Sequence, residues 1–297
     1  MTATRATDLA TMQEKLSRLF TAEGVAMGLA FRPRPSDVII SPYSKCGTTW
    51  MQQTVHGLRT RGSMDFGEIT EVMPWIEAAA DLGQDLDAEQ VASPRCFKSH
   101  LPFDRVPKGC RYICVLRDPL RALVSLYRFF SGWVLEAGAI GLDEFALQHY
   151  LQRPAERGYW HHLASWLEQR DNPDVLLLCY EQLQEDFDGQ LPHIAGFLGI
   201  DLDVELAAVV SRQSSLAFMA AHGHHFDDHF LRRQRDPLMA VPAGGSSSKV
   251  MGGNSARPQP GPEVVTAMAG RWQQDVTART GFDDYPALRA WFDNRSG

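Results

Sequence analysis

Several features that define common protein classes are missing from this sequence. No apolar run approaches the ~18 residues that a membrane span requires, and the polar stretch before Phe20 lacks the long apolar centre of a signal peptide. The cysteines are five, an odd number, and form no Cys-x-x-Cys pair, which favours free buried thiols in a reducing cytosol. We therefore expect a cytoplasmic protein without a membrane span.

An excess of positive charge is also missing. The formal net charge of −7 argues against nonspecific nucleic-acid binding, so we expect no nucleic-acid partner. Basic residues nevertheless occur near three segments that are described below, and such a local group of positive charges suits a small anionic ligand. They are Lys45, Lys98, Arg117, Arg121 and Arg128.

Short apolar runs alternate with longer amphipathic segments along the 297 residues, 44% of which are hydrophobic. This alternation predicts an α/β fold, a three-layer parallel sheet flanked by helices, in one domain over residues 1–297. Ligands of such sheets bind at the carboxyl ends of the strands. The predicted strands are 38–41, 95–98, 111–116 and 175–179. The predicted helices are 8–20, 48–61, 75–82, 119–133, 142–151, 159–169, 191–198, 204–211 and 264–278. Residues 69–74 are predicted as loop, and the composition of 222–262 predicts a mobile loop.

The run SPYSKCGTTW, from Ser41 to Trp50, has the layout of a phosphate cradle. It follows an apolar strand and precedes a helix, whose first N–H groups and positive dipole end favour an anion. Lys45 adds a positive charge, and Gly47 permits close approach of the backbone. In the loop of ATP and GTP enzymes the lysine follows the glycines, whereas here it precedes the single glycine.

The order Ser-Lys-x-Gly-Thr-Thr-Trp resembles the 5′-phosphosulfate loop of the cytosolic-type sulfotransferases, which use 3′-phosphoadenosine 5′-phosphosulfate (PAPS) as sulfuryl donor. CFKSHLP, residues 96–102, resembles the Lys-Thr-His-Leu-Pro segment of that family, and residues 112–127 resemble its 3′-phosphate-binding strand, turn and helix. The resemblance implies a P-loop-like nucleotide-binding fold, PAPS as co-substrate, 3′-phosphoadenosine 5′-phosphate (PAP) as product, no metal, and a small, fairly apolar acceptor with a hydroxyl group.

The resemblance also implies roles for particular residues. His100 is the expected general base, because a neutral imidazole can accept a proton near neutral pH. Lys98 lies two residues before it, so both side chains share one face of a strand. Lys45 is expected to touch the 5′-phosphate and the bridging oxygen.

The expected nucleotide-binding residues span four segments. Gly47, Thr48 and Thr49 would offer N–H groups and hydroxyls, although a plain helix N-cap fits them too. Trp50 would stack on adenine or pack in the core, and Arg117 would grip the 3′-phosphate or pair with Asp118. The remaining candidates are Cys46, Ser125, Tyr180, Ser214, Ser215 and Phe218.

One family segment departs from its usual form. The late Arg-Lys-Gly of the family is replaced by SKVMGGN, residues 248–254, with Gly252 as the matching glycine. Lys249 or Arg257 is the candidate substitute for the missing pair, and Cys46 stands where a serine is usual. We expect weaker donor affinity, or a loop that orders only on binding.

Several alternatives stay open at this point. His222, His224, His225 and Asp227 could bind a metal such as zinc, contribute to a lid over the acceptor, or have no role. Apolar pocket and helix core are equally good explanations for a set of aromatic residues: Trp75, Phe103, Phe129, Phe130 and Trp133. The rival functions are a non-catalytic PAP- or PAPS-binding protein and a nucleotide-dependent kinase. A homodimer is left open.

Overall fold

Four parallel strands form the centre of the computed structural model, which describes residues 3–244 and 258–295. The strands are β1 (Val38–Ile40), β2 (Cys96–Lys98), β3 (Arg111–Leu116) and β4 (Val175–Cys179). Their order across the sheet is β2-β1-β3-β4, and Ile39 pairs with Phe97 on one side and with Tyr112 on the other. Because β1 is central, the loop that follows it has neighbours on both sides.

Helices connect the strands and cover both faces of the sheet. They are α1 (Leu9–Ser17), α2 (Ala22–Leu29), α3 (Thr48–Thr60), α4 (Ile69–Val72), α5 (Pro119–Trp133), α6 (Leu142–Phe145), α7 (Tyr159–Leu167), α8 (Tyr180–Glu185), α9 (Phe187–Leu198), α10 (Val204–Ser214), α11 (Leu216–Ala221), α12 (His229–Arg235), α13 (Pro262–Trp272), α14 (Ala278–Thr280) and α15 (Tyr285–Arg295). Shorter 3-10 or π-helical turns lie at 80–82, 146–150, 155–157, 223–226 and 273–277.

Alternate residues of one strand enter different apolar cores. Ile39 of β1 packs in a core that contains residues of α5, α7 and α13, whereas Val38 and Ile40 pack in a second core with residues of α3, α9 and α10. This alternation follows from the two-residue period of a strand, and burial on both faces explains the nearly continuous apolar runs. The predicted three-layer α/β fold is therefore confirmed.

The structure differs from the prediction between β1 and β2. Residues 69–72, predicted as loop, form α4, because Glu68 and Glu71 make a reciprocal capping box at its start. Residues 75–82, predicted as helix, form only a 3-10 turn at the end, because Trp75 makes an isolated parallel bridge with Lys98.

The predicted loop over 222–262 is wrong in part. Residues 223–226 form a 3-10 turn, and 229–235 form α12. Arg235 anchors this helix by donating from Nε to the Leu19 carbonyl at 2.7 Å and from Nη2 to the Arg18 carbonyl at 3.0 Å. The predicted nucleotide ligands Lys249 and Gly252, with Arg257, lie outside the described residues.

All five cysteines are buried and free, as the sequence predicted. Burial raises the pKa of Cys46 to about 12 and that of Cys96 to about 11, so neither thiol ionises near neutral pH. Within residues 3–244 and 258–295, no helix is long and apolar enough to cross a membrane.

Candidate active site

A cavity of about 1310 Å³ lies at the carboxyl edge of the sheet. A residue that follows or ends each of the four strands contributes to its wall, namely Lys45 after β1, Lys98 at the end of β2, Arg117 after β3 and Tyr180 after β4. Its volume exceeds the ~300–1,000 Å³ of common single-ligand pockets. The cavity therefore has room for a nucleotide and a second molecule.

The loop between β1 and α3 has the geometry of an anion cradle. Lys45 and Gly47 both have left-handed backbone conformations, with φ of +68° and +94°. Among the residues that the structure describes, no side chain caps the start of α3, so its first N–H groups remain available to an anion. The buried hydroxyl of Thr48 likewise has no hydrogen-bond partner in the described ranges. These polar groups fit a bound phosphate or sulfate oxygen.

Arg117 joins this loop to the end of β3. Its Nη1 donates to the Lys45 carbonyl at 2.6 Å, and its guanidinium carbon lies 4.1 Å from the centre of the Tyr180 ring. Its buried Nε has no hydrogen-bond partner within residues 3–244 and 258–295. Asp118, the alternative partner predicted for Arg117, instead accepts from the Arg121 N–H at 2.8 Å and caps α5.

Lys98 and His100 both line the cavity, in agreement with their predicted common face. Lys98 is buried, with Nζ 3.8 Å from the centre of the Trp75 ring. The Nδ1–H of His100 donates to the Pro42 carbonyl at 2.8 Å, and this bond places the lone pair of the neutral imidazole on Nε2. The site thus holds a buried cation close to a ring with basic Nε2.

Glu77 is a cavity-wall residue that the sequence reasoning missed. Its Oε1 accepts the backbone N–H of His100 at 2.8 Å. Burial raises the pKa of this carboxyl, although the hydrogen bond from His100 acts in the opposite direction. The sequence placed Glu77 in a predicted helix, and only the bridge between Trp75 and Lys98 reveals its position.

Trp50 and Tyr180 both reach the cavity, as expected for contacts to a nucleotide base. The Trp50 ring stacks on Phe187 with a centre-to-centre distance of 5.6 Å and meets the Tyr180 ring edge-on at 5.6 Å. Trp50 also packs against the second apolar core. The two alternatives for Trp50 are therefore compatible, since one part of the ring is in the core and another is at the cavity.

Three predicted nucleotide ligands occupy other places. The Cys46 side chain is buried in the apolar core and does not line the cavity, so only its backbone could contact a ligand. Ser215 is the N-cap of α11, where its hydroxyl accepts from the Phe218 N–H at 3.2 Å. Phe218 stacks on His222 with ring centres 3.9 Å apart. The neighbouring Ser214 does line the cavity.

The apolar part of the cavity wall is built from several elements. Phe129, Phe130 and Trp133 of α5 contribute, together with Trp75. Phe103 does not, because its ring packs edge-on against Tyr112 and Trp166. Sequence reasoning also missed the contribution of Leu16, Leu19 and Phe20 at the N-terminal side, which shows in no local pattern.

The histidine-rich segment makes contacts within the protein. The Nδ1 of His222 bonds the Phe218 carbonyl at 2.9 Å, and the Nδ1 of His229 lies 2.8 Å from an Asp227 carboxylate oxygen. Within the described ranges, no group of three or more metal-ligating side chains is assembled.

This site has the features of an α/β transferase that binds a nucleotide. They are the parallel sheet, the anion cradle at its carboxyl edge, and the nearby lysine and histidine. The comparisons with known proteins identify the family. A model described as "Sulfotransferase domain" matches residues 35–229. The chain is 29% identical over 201 residues to sulfotransferase 1E1 of Cavia porcellus, covering 64% of this chain and 68% of that one. It is 30% identical over 195 residues to sulfotransferase 2A1 of Homo sapiens, covering 63% and 67%.

Solved structures show the same fold. Mouse sulfotransferase SULT7A1 complexed with PAP superposes with a TM-score of 0.55 at 23% identity, covering 68% of this chain and 72% of that one. Retinol dehydratase in complex with androsterone and PAP superposes with a TM-score of 0.61 at 18% identity, covering 89% and 85%. The chain belongs to the sulfotransferase family, and it is an enzyme of sulfuryl transfer.

Proposed function

We propose that this sulfotransferase moves the sulfuryl group of PAPS to a hydroxyl of a small, fairly apolar acceptor, giving PAP and a sulfate ester. The observation that carries the proposal is the cradle of left-handed Lys45 and Gly47 in the same cavity as Lys98 and His100. The presence of PAP in the solved structures of SULT7A1 and retinol dehydratase supports the choice of donor.

In the proposed reaction the acceptor oxygen forms a bond to sulfur as the bond from sulfur to the bridging oxygen of the donor breaks. The acceptor proton passes to Nε2 of His100, and the electron pair of the broken bond stays on the released phosphate. Lys45 and Lys98 stabilise the negative charge that develops, an effect that is large in a buried site. The site therefore supplies both a base and cations.

The proposed 3′-phosphate site lies at the start of α5. Arg117 ends the preceding loop, and Ser125 lies two turns into the helix, and both line the cavity. Arg121 and Arg128 line it as well, so the donor would meet a cationic wall that suits its phosphates. The fit does not depend on Lys249, which remains a proposed additional ligand.

The proposed acceptor region is the aromatic part of the cavity beside His100. Trp75 meets the His100 ring edge-on at 5.1 Å and the Phe20 ring edge-on at 4.9 Å. Phe129, whose ring lies 4.4 Å from Nζ of Lys45, extends this wall toward the cradle. Such a wall favours an apolar molecule that presents one polar group.

The first experiment is a calorimetric titration of PAP into wild-type protein and into Lys45→Ala, without added metal. We expect binding by the wild type that is reduced at least tenfold in Lys45→Ala. Lys108→Ala, which removes an exposed lysine that does not line the cavity, is the matched control and should bind as the wild type does.

Turnover tests then separate the rival functions. Sulfation of an acceptor with PAPS, lost in His100→Ala, supports the proposed enzyme. Tight PAP binding without turnover on any acceptor favours a non-catalytic binding protein, and magnesium-dependent turnover of ATP favours a kinase. Replacement of Lys249 with alanine should weaken PAP binding, and unchanged affinity would remove Lys249 from the proposed site.

A further inference from the structure

The segment that precedes Glu77 pairs with the outer edge of the sheet. The Lys98 N–H donates to the Pro74 carbonyl at 2.9 Å, and the Ile76 N–H donates to the Lys98 carbonyl at 2.9 Å. These bonds satisfy backbone groups that an edge strand would otherwise leave unpaired. The next N–H group of this kind, that of His100, is paired with a side chain instead, because it donates to the Glu77 carboxyl.

His100 is consequently fixed at three places. Its backbone N–H is held by Glu77 at 2.8 Å, its Nδ1–H is held by Pro42 at 2.8 Å, and its ring packs edge-on against Trp75. The Pro42 bond selects the tautomer, whereas the Glu77 bond fixes the backbone from which the ring projects. Loss of the second bond would let the imidazole shift without changing its tautomer.

The burial of the Glu77 carboxyl is energetically unfavourable. Glu77 is 7% exposed, and its buried Oε2 accepts no hydrogen bond of normal geometry from residues 3–244 and 258–295. Burial of a carboxyl is unfavourable unless its oxygens are paired, and the raised pKa of Glu77 reflects this cost. Its Oε1 is paired with the backbone N–H of His100.

We infer that Glu77 is a positioning residue for sulfuryl transfer, which holds the backbone of His100 so that Nε2 meets the acceptor proton. This inference rests on the proposed role of His100 as the base. Displacement of a catalytic group by ~1 Å can cost about 100-fold in rate, so the bond that Glu77 accepts from the His100 N–H acts on kcat rather than on binding of the donor.

Two substitutions of similar size test the inference. Glu77→Gln keeps an oxygen that can accept the His100 N–H, whereas Glu77→Met fills the same space without one. We expect Glu77→Gln to keep kcat within about threefold and Glu77→Met to lose at least tenfold. The Kd for PAP should stay within twofold of the wild-type value in both variants. The ratio of kcat/KM in wild type to kcat/KM in Glu77→Met should be the same at every pH between 6 and 8.

Other results would overturn the inference. Equal kcat in Glu77→Met and wild type would show that the bond does not position the base, and a matching loss of PAP affinity would point to general damage of the site. If Glu77→Met does not fold, Glu77→Asp, which withdraws the carboxyl by one methylene, must show the kcat loss instead. A wild type that sulfates an acceptor and loses this activity in His100→Ala keeps the proposed function in place whatever the Glu77 variants do.

Discussion

The Tyr180 ring packs so closely against Gly47 that a methyl group on Gly47 would lie 3.0 Å from ring Cδ2 and 3.3 Å from Cε2. Gly47 also has a φ of +94°, which side chains other than that of glycine rarely adopt. One residue thus satisfies a backbone requirement of the cradle and a packing requirement of the aromatic wall.

Gly47→Ala should therefore disturb both the fold and the cradle. We expect the free energy of unfolding to fall by about 1–3 kcal/mol, because the alanine is strained at positive φ and presses on the ring. The Kd for PAP should rise at least tenfold. Gly109→Ala is the control, since Gly109 has a φ of +104° but no atom within 4 Å of the added methyl group. It should show the backbone cost alone, with unchanged PAP affinity, and equal affinity losses in the two variants would contradict the prediction.

Ser125 and Ser215 should respond differently to replacement by alanine. Ser125 lines the cavity in the proposed 3′-phosphate site, whereas the Ser215 hydroxyl caps α11. Ser125→Ala should weaken PAP binding at least about tenfold, because a hydrogen bond to a charged group contributes about 1.5–3 kcal/mol and about 1.4 kcal/mol is a factor of ten in Kd. Ser215→Ala should leave PAP affinity unchanged and lower the free energy of unfolding by about 1 kcal/mol. Calorimetry measures the Kd for PAP, and urea unfolding measures the free energy of unfolding. A loss of PAP affinity in Ser215→Ala would show that Ser215 belongs to the binding site.

The Asp37–Arg95 ion pair should make a large contribution to folding. Its oxygen-to-nitrogen distances are 2.6 and 3.0 Å, and the two side chains are 0% and 6% exposed. Arg95→Met should lower the free energy of unfolding by about 3–5 kcal/mol, because it leaves a buried carboxylate without its cation. The exposed pair of Arg61 and Asp203, 2.6 Å apart, is the control, and Arg61→Met should cost less than about 1 kcal/mol. Similar losses of unfolding free energy in Arg95→Met and Arg61→Met, measured by urea unfolding, would contradict this prediction.

Stability should decrease on mild acidification because three histidines are buried in neutral form. Burial lowers the pKa of His56 and His162 to about 3, and that of His149 to about 4. In the unfolded chain each ring takes up a proton near pH 6.5. Below that pH the unfolded state binds more protons than the folded state, so the free energy of unfolding falls as pH falls toward the folded pKa values.

His162→Asn isolates one of these contributions. The Nε2–H of His162 donates to the Ser41 carbonyl at 3.1 Å, and asparagine removes the titrating ring while remaining polar. Between pH 6 and pH 4.5 the free energy of unfolding should depend on pH less steeply than in wild type, by about 1.4 kcal/mol per pH unit. His193→Asn, at an exposed position of α9, is the control and should leave the slope unchanged. A wild-type slope in His162→Asn would show that His162 is charged in the folded protein.

Local patterns were sufficient for much of the fold. The ranges 111–116, 119–133 and 175–179 agree with β3, α5 and β4 at both ends, because a buried apolar run or a proline in the first helical turn marks these elements locally. The anion cradle was also predictable from the sequence, because Lys45 and Gly47 are separated by only one residue. The local pattern predicts a helix at Trp75, whereas its backbone pairs with that of Lys98, a contact that nothing local indicates.

The features from which the family was predicted all belong to short runs of contiguous residues: a strand, an anion-binding loop, and a lysine and a histidine two residues apart. Which other side chains join the site depends on how the chain folds. Glu77 reaches the His100 N–H, Cys46 turns into the core, and Ser215 is used as a helix cap. These outcomes depend on packing between segments distant in the chain, and a contact across that distance leaves no periodic signal in the residues that make it.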